Sequence, residues 1–92
     1  MPHYVYILEC SDGSLYVGST NDLEKRLYQH NNSKSGAHYT KIRRPVILKY
    51  SEKSKNLSMA LKREAEIKKW KRGEKLVLIQ SAKSVKKKND GH

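Results

Sequence analysis

The sequence predicts a small α+β domain, in which helices flank a three-stranded antiparallel sheet. Two apolar runs, at residues 3–10 and 14–19, are separated by the turn signal Ser11-Asp12-Gly13, which is typical of a β-hairpin. A third apolar run at 46–51 follows Pro45, and proline suits the start of a strand. Apolar spacing and capping residues predict helices near 21–31, 56–72 and 74–80.

Length and charge limit the function classes. The chain has 92 residues, which indicates one domain, and 20 Lys and Arg against 9 Asp and Glu give a net charge of +11. A polyanion such as nucleic acid is the natural partner of such a surface. We expect no membrane partner, because no apolar run could span a bilayer. Cys10 is the single cysteine, so no internal disulfide can form, and no signal peptide is evident. We therefore expect a cytoplasmic protein.

The domain is expected to cover residues 1–80. Residues 81–92 show no apolar periodicity, so we predict a disordered basic tail there. That tail holds four Lys and one Asp, so the folded part keeps a net charge of +8. The basic character therefore belongs to the domain as well as to the tail.

The loop of the hairpin decides which side chains share a face. A two-residue Asp12-Gly13 loop would place Tyr6 and Tyr16 on opposite faces. A three-residue loop, with a left-handed Gly13 in a bulge, pairs Tyr6 with Gly18 and separates tyrosines from aliphatic residues. We predict the second register, and we interpret the bare Gly18 as room for a ligand beside Tyr6.

The helix at 21–31 carries two further polar candidates. Asn21 or Thr20 is expected to cap it, and Glu24 follows Asn21 at the spacing of a capping box. Arg26 and His30 are four residues apart and so lie one above the other on the helix.

The segment at 31–45 mixes cations with aromatic residues. This pattern suits phosphate contacts and base stacking, and a solvated loop explains the composition equally well. The candidate nucleic-acid-binding residues are Lys34, His38, Tyr39, Lys41, Arg43 and Arg44.

A carboxylate lies on the apolar side of the long helix at 56–72. Glu64 is four residues after Ala60 and three before Ile67, so it points into the protein. Such a glutamate forms a partly buried salt bridge, reaches solvent from the edge of the stripe, or binds a divalent cation through its oxygens. The predicted core consists of Val5, Ile7, Val17, Leu27, Ile47, Leu57, Leu61, Ile67 and Leu76.

Together these residues resemble the GIY-YIG nuclease superfamily over roughly residues 3–80, and most closely its small stand-alone bacterial UPF0213 group. The two motifs correspond to Tyr4-Val5-Tyr6 and Tyr16-Val17-Gly18. The segment from Gly36 to Pro45, with Thr40, is similar to the nuclease subunit of eukaryotic structure-selective junction endonucleases. Tyr4 replaces the first motif's glycine, and Ser19-Thr20 stands where some members carry lysine. The family's catalytic positions fall on Tyr6, Tyr16, Arg26, His30 and Glu64.

The resemblance implies hydrolysis of DNA phosphodiesters with one divalent metal ion, Mg²⁺ or Mn²⁺, held by Glu64. It implies that Tyr6, as phenolate or proton relay, deprotonates water, and that Arg26 holds phosphate oxygens. Tyr16 would hydrogen-bond a phosphate oxygen or the nucleophile, and His30 would take or orient a proton. Branched or flapped DNA, in repair or recombination, is the expected substrate. The alternatives are a non-catalytic nucleic-acid-binding module and an accessory protein to a larger nuclease partner.

Overall fold

The computed structural model describes residues 2–32 and 38–90 and confirms the fold class. Three antiparallel strands form one sheet in the order β2-β1-β3, so β1 is central. The elements are β1 (His3–Glu9), β2 (Leu15–Thr20), α1 (Leu23–Asn32), α2 (His38–Lys41), β3 (Ile47–Ser54), α3 (Leu57–Lys68) and α4 (Arg72–Asp90).

The predicted hairpin register is confirmed. Gly13 has a φ of +85°, in the left-handed region that favours glycine. The Gly13 N–H donates to the Cys10 carbonyl, and the Cys10 N–H donates to the Ser14 carbonyl, both at 2.9 Å. Tyr6 consequently lies opposite Gly18, and Leu8 lies opposite Tyr16. Because side chains alternate along a strand, the tyrosines of the hairpin share one face of the sheet.

Helices cover both faces. α3 packs on β1 and β2 over the aliphatic face, and Ile79 of α4 joins the same cluster. α1 covers the tyrosine face through Leu23 and Leu27, and α2 packs against α1. The aliphatic cluster is Val5, Ile7, Val17, Ala60, Ile67 and Ile79, and the second cluster is Tyr6, Leu8, Cys10 and Val46.

The core prediction is correct for the strands and partly wrong for the helices. Val5, Ile7, Val17 and Ile67 are buried, and Leu27 packs partly buried against the second cluster. Four predicted core residues are instead 41–56% exposed: Ile47, Leu57, Leu61 and Leu76. On α3 the stripe that faces the sheet runs through positions 60, 64 and 67, and Leu57 and Leu61 lie beside it.

Helix ends also differ from the sequence prediction. Asp22, rather than Asn21 or Thr20, caps α1, because its Oδ1 accepts the Lys25 N–H at 3.1 Å, as a capping carboxylate does. Asn56 caps α3 as predicted, accepting the Met59 N–H at 2.9 Å. α3 ends at Lys68, so Gly73 lies in the first turn of α4 instead of terminating α3.

The last helix is longer than the sequence suggests. α4 runs from Arg72 to Asp90, whereas the sequence predicts a helix over 74–80 and a disordered tail from residue 81. Ala and Lys have high helix propensity, and after Gly73 no Gly or Pro precedes residue 91, so local propensity favours helix even without an apolar stripe. Among the residues that the structure describes, no helix is long and apolar enough to cross a membrane.

Candidate active site

Tyr6 lies at the centre of the candidate site, on the middle strand and directly across from Gly18. A Cβ at position 18 would lie 2.5 Å from the Tyr6 hydroxyl oxygen and 2.7 Å from Cζ. The space over Gly18 is therefore filled by the Tyr6 ring itself. The interpretation of Gly18 as room for a ligand is wrong, because the glycine is needed to admit Tyr6.

The Tyr6 hydroxyl belongs to a buried hydrogen-bonded chain. It lies 2.8 Å from His30 Nε2, and His30 Nδ1 lies 2.7 Å from the Thr40 hydroxyl oxygen. His30 and Thr40 are fully buried, and Tyr6 is 2% exposed. Both imidazole nitrogens thus have partners, as a buried polar ring requires. α1 supplies the histidine and α2 supplies the threonine.

Burial keeps both rings neutral. It lowers the pKa of His30 to about 4, and the positive charges of Arg26 and Arg44 lower it further in the same direction. Burial raises the pKa of Tyr6 to about 12, partly opposed by a hydrogen bond from Arg26. At neutral pH the pair is therefore a phenol beside an uncharged imidazole.

Tyr16 connects this buried chain to the surface. Its ring meets His30 edge-on, with centroids 5.2 Å apart. It also stacks on Tyr39, with centroids 5.9 Å apart and planes 29° apart. Tyr39 is 37% exposed, and the Arg43 guanidinium lies 3.9 Å from its ring centroid. Tyr16 thus lies between His30 and the solvent-facing aromatic and cationic groups.

Glu64 points inward from α3, as predicted, and its side chain is 17% exposed. Its Oε1 accepts the Ser19 hydroxyl at 2.7 Å, and its Oε2 pairs with the Lys68 ammonium at 2.7 Å. The Glu64 charge also contributes, after burial and the charge of Tyr16, to raising the pKa of Tyr6. The carboxylate is therefore close enough to act on Tyr6 electrostatically.

The donor set at Glu64 fits a hard divalent cation. Among the described residues, no three His, Cys, Asp or Glu side chains cluster as a metal cage. Mg²⁺ commonly binds one or two carboxylates and completes its shell with water and phosphate oxygens. A cation at Glu64 would compete with Lys68, whose side chain is 51% exposed and able to turn toward solvent.

The predicted nucleic-acid-binding residues differ in whether other residues of the domain already bind their side chains. Arg43 pairs with Asp12 at 3.0 Å and donates to the Tyr39 carbonyl at 3.1 Å. Arg44 donates to the carbonyls of Gln29 and His30 at the end of α1. The Tyr39 ring already stacks on Tyr16, whereas Lys41 is exposed. Lys34 lies outside the described residues, and His38 begins α2.

The family model for the GIY-YIG catalytic domain matches residues 2–76, which is most of the chain. This chain belongs to the GIY-YIG family. The sequence resemblance is thereby confirmed. The GIY-YIG catalytic domain indicates a nuclease family with DNA as the suggested substrate, and nucleases of this family generally depend on a divalent metal ion.

Relatives place this GIY-YIG protein in the UPF0213 group. It is 60% identical over 78 residues to the UPF0213 protein of Syntrophus aciditrophicus, covering 85% of this chain and 90% of the relative. It is 58% identical over 77 residues to UPF0213 protein SSP2268 of Staphylococcus saprophyticus, covering 84% and 93%.

Two solution NMR structures share its fold. UPF0213 protein BH0048 from Bacillus halodurans has a TM-score of 0.56 and 41% identity, over 87% of this chain and 84% of that one. Protein EF2693 from E. faecalis has a TM-score of 0.61 and 42% identity, over 88% and 85%.

Three residues of this GIY-YIG site were not among the predicted site residues. Ser19 hydrogen-bonds one carboxylate oxygen of Glu64, and Lys68 pairs with the other. Thr40 hydrogen-bonds Nδ1 of His30. Lys68 could have been found, because it follows Glu64 by four residues on one helix. Thr40 lies ten residues after His30 on another element, so only the tertiary fold reveals the contact.

Proposed function

We propose that this GIY-YIG protein is a metal-dependent DNA endonuclease that hydrolyses phosphodiester bonds. The observation that carries the proposal is the hydrogen bond between Tyr6 and a neutral, buried His30. An uncharged imidazole that faces a phenol can accept its proton, which is what a proton relay requires. A structural histidine could make the same bond, but Arg26, Tyr16 and Glu64 also converge on this pair.

The electrostatics favour a relay over a standing phenolate. With a pKa of about 12, Tyr6 is protonated at neutral pH, so it is a poor base by itself. The attacking water would pass a proton to the Tyr6 oxygen while the Tyr6 proton moves to His30 Nε2. Because both proton shifts occur together, neither a free phenolate nor a buried imidazolium has to exist beforehand.

The remaining residues bind and orient the phosphate. Arg26, whose guanidinium is held by Gln29 at 3.1 Å, would donate to the non-bridging oxygens. Tyr16, partly exposed beside His30, would hydrogen-bond the phosphate or the attacking water. A divalent cation bound at Glu64 would neutralise charge on the scissile phosphate and assist departure of the leaving oxygen.

The test compares nicking and cleavage of supercoiled, flapped and branched DNA with Mg²⁺ or Mn²⁺ across matched variants. Glu64→Gln removes the charge of the proposed ligand. Glu66→Gln makes the same change two residues away, on an exposed side chain that pairs with Arg63. Tyr6→Phe removes one hydroxyl and keeps the ring. Circular dichroism would confirm that each variant is folded.

We expect Glu64→Gln and Tyr6→Phe to lower kcat by about 10²-fold or more, the scale of losing one catalytic interaction, and Glu66→Gln to cleave normally. Undiminished cleavage by Glu64→Gln would contradict the assigned site. If no substrate is cut but DNA binds with a steep salt dependence, the non-catalytic binding module is the better description.

A further inference from the structure

We propose that Thr40 is a positioning residue that fixes the tautomer of His30, so that Nδ1 carries the proton and Nε2 is held ready to accept the proton of Tyr6. This inference rests on the proposed function for its catalytic meaning, but the tautomer itself is a property of the folded protein alone. The contact that carries it joins Thr40 Oγ1 to His30 Nδ1 at 2.7 Å, between two fully buried side chains.

The direction of each hydrogen bond follows from the donors that surround Tyr6. The Arg26 guanidinium acts on Tyr6 and lowers the pKa that burial raises, but a guanidinium has no lone pair that could accept the phenol proton. Because the Tyr6 side chain is buried, its phenol proton then needs an acceptor within the protein. His30 Nε2, at 2.8 Å, is placed to be that acceptor, so Nε2 carries no proton.

A neutral imidazole has one N–H, so the proton must lie on Nδ1. The Thr40 hydroxyl oxygen is placed to accept a hydrogen bond from that N–H, since an oxygen with two lone pairs accepts readily. The low pKa of His30, which burial causes, keeps the ring neutral and makes the choice of tautomer meaningful at working pH. Thr40 thus has the role that an orienting residue has for other catalytic histidines.

The alternative tautomer would disable the relay. With the proton on Nε2, His30 would donate to the Tyr6 oxygen, and no base would face the phenol proton. Tyr6 could then pass on no proton from water. The Thr40 hydroxyl oxygen stabilises the tautomer that the relay needs, because it gives the Nδ1 proton an acceptor on the side of the ring away from Tyr6.

The experiment measures the tautomer and the cleavage rate separately. Long-range ¹H–¹⁵N NMR spectra of the whole protein, without DNA or metal, identify which nitrogen of His30 is protonated. The variants are Thr40→Val, which matches threonine in shape and lacks the hydroxyl, and Thr40→Ser, which keeps it. Cleavage is measured on the same preparations, with KM and kcat determined separately.

We expect the Nδ1-protonated tautomer in the native protein and in Thr40→Ser, and a shift toward Nε2 protonation in Thr40→Val. Thr40→Val should lose about 10- to 100-fold in kcat, the scale of removing a group that orients a metal-bound histidine, with little change in KM. Thr40→Ser should restore most of the rate.

Two results would overturn the inference. The first is Nε2 protonation of His30 in the native protein, which needs no variant to fold and no substrate to be cut. The second is a Thr40→Val protein that keeps the native tautomer, or that shifts it and cleaves at the native rate. If no variant or native protein cleaves DNA, the proposed endonuclease fails, and the native spectrum still decides the contact between Thr40 and His30.

Discussion

The close approach of Tyr6 to Gly18 yields a prediction that links the backbone to the chemistry. Gly18→Ala adds one methyl group whose carbon would lie 2.5 Å from the Tyr6 hydroxyl oxygen, 2.7 Å from Cζ and 3.2 Å from Tyr16 Cε2. Real Cβ atoms do not approach other heavy atoms so closely, so the Tyr6 ring has to move. Its hydroxyl is held by His30, and the ring shift would stretch or break that hydrogen bond.

The loss of stability in Gly18→Ala follows from how closely Tyr6 packs against Gly18. Inserting a methyl group into a packed core typically destabilises by about 1–3 kcal/mol. For a domain of this size, a loss of about 2 kcal/mol lowers Tm by about 8–16 °C. Because Tyr6 is buried within the second core cluster, a shift of its ring also has to displace packed neighbours.

Two other glycines provide matched controls for the same substitution. Gly73→Ala meets nothing within 4 Å in the first turn of α4. We expect it to gain about 0.5–1 kcal/mol from helix propensity. Gly13→Ala also meets no atom, but Gly13 has a φ of +85°. A left-handed alanine should cost about 1–2 kcal/mol. Gly13 therefore controls for lost stability that does not involve a clash with Tyr6.

The assay is thermal unfolding of the three variants, with DNA cleavage measured well below each Tm. Gly18→Ala should lose both stability and cleavage, whereas Gly13→Ala should lose stability and keep cleavage. A Gly18→Ala protein with native stability and native cleavage would refute the reasoning, because the Tyr6 ring would then not be held against the strand.

Three further predictions concern charge. His30 has a folded pKa of about 4, below its ordinary 6.5, so it should show no NMR titration between pH 5 and 8. The neutral ring has to gain a proton on unfolding in acid, so the free energy of unfolding should fall by up to about 3 kcal/mol as the pH drops from 6.5 to 4. Lys41→Ala should weaken DNA binding and reduce the salt slope by about one charge at unchanged Tm. Arg44→Ala should instead lower Tm because it removes donors to the last carbonyls of α1, and equal Tm values for the two variants would contradict this division. The Lys68 ammonium is half-exposed where it pairs with Glu64, and such a helix pair is worth about 0.3–0.5 kcal/mol. Lys68→Gln should therefore tighten Mn²⁺ binding about twofold by calorimetry, and weaker binding would show that Lys68 does not compete with the cation.

The hairpin shows what the sequence was able to predict. The turn residues and the alternation of side chains along the strands favour the same register there. The loop that gives Gly13 a left-handed conformation also places the tyrosines on one face and the aliphatic residues on the other. The same logic placed Glu64 inward, since two buried residues of one helix fix the face between them. Both predictions used positions within one element or one tight turn.

The failures have a common cause, which is that tertiary contacts decide between local options. Leu57 and Leu61 are apolar, but the stripe of α3 that packs on the sheet contains Ala60 and Ile67. Leu57 and Leu61 lie beside that stripe on the helix and are exposed. Strand pairing alone suggests open space at Gly18, because it does not reveal that the Tyr6 ring across from it folds over the glycine. Arg44 stays a predicted nucleic-acid-binding residue, and its hydrogen bond to the Gln29 carbonyl, 15 positions away, leaves no local signal in the sequence.

Tyr6 combines two roles that are usually separate. It is a core residue of the second cluster, and its hydroxyl is the group that would handle the reacting proton. Burial raises the pKa of Tyr6 and lowers the pKa of His30, so the packing that stabilises the domain also holds both partners neutral. In such a site the tautomer of His30 decides which way the proton can move, because both partners are neutral before the proton moves. The proposed chemistry of this domain therefore depends on packing as much as on the motif residues themselves.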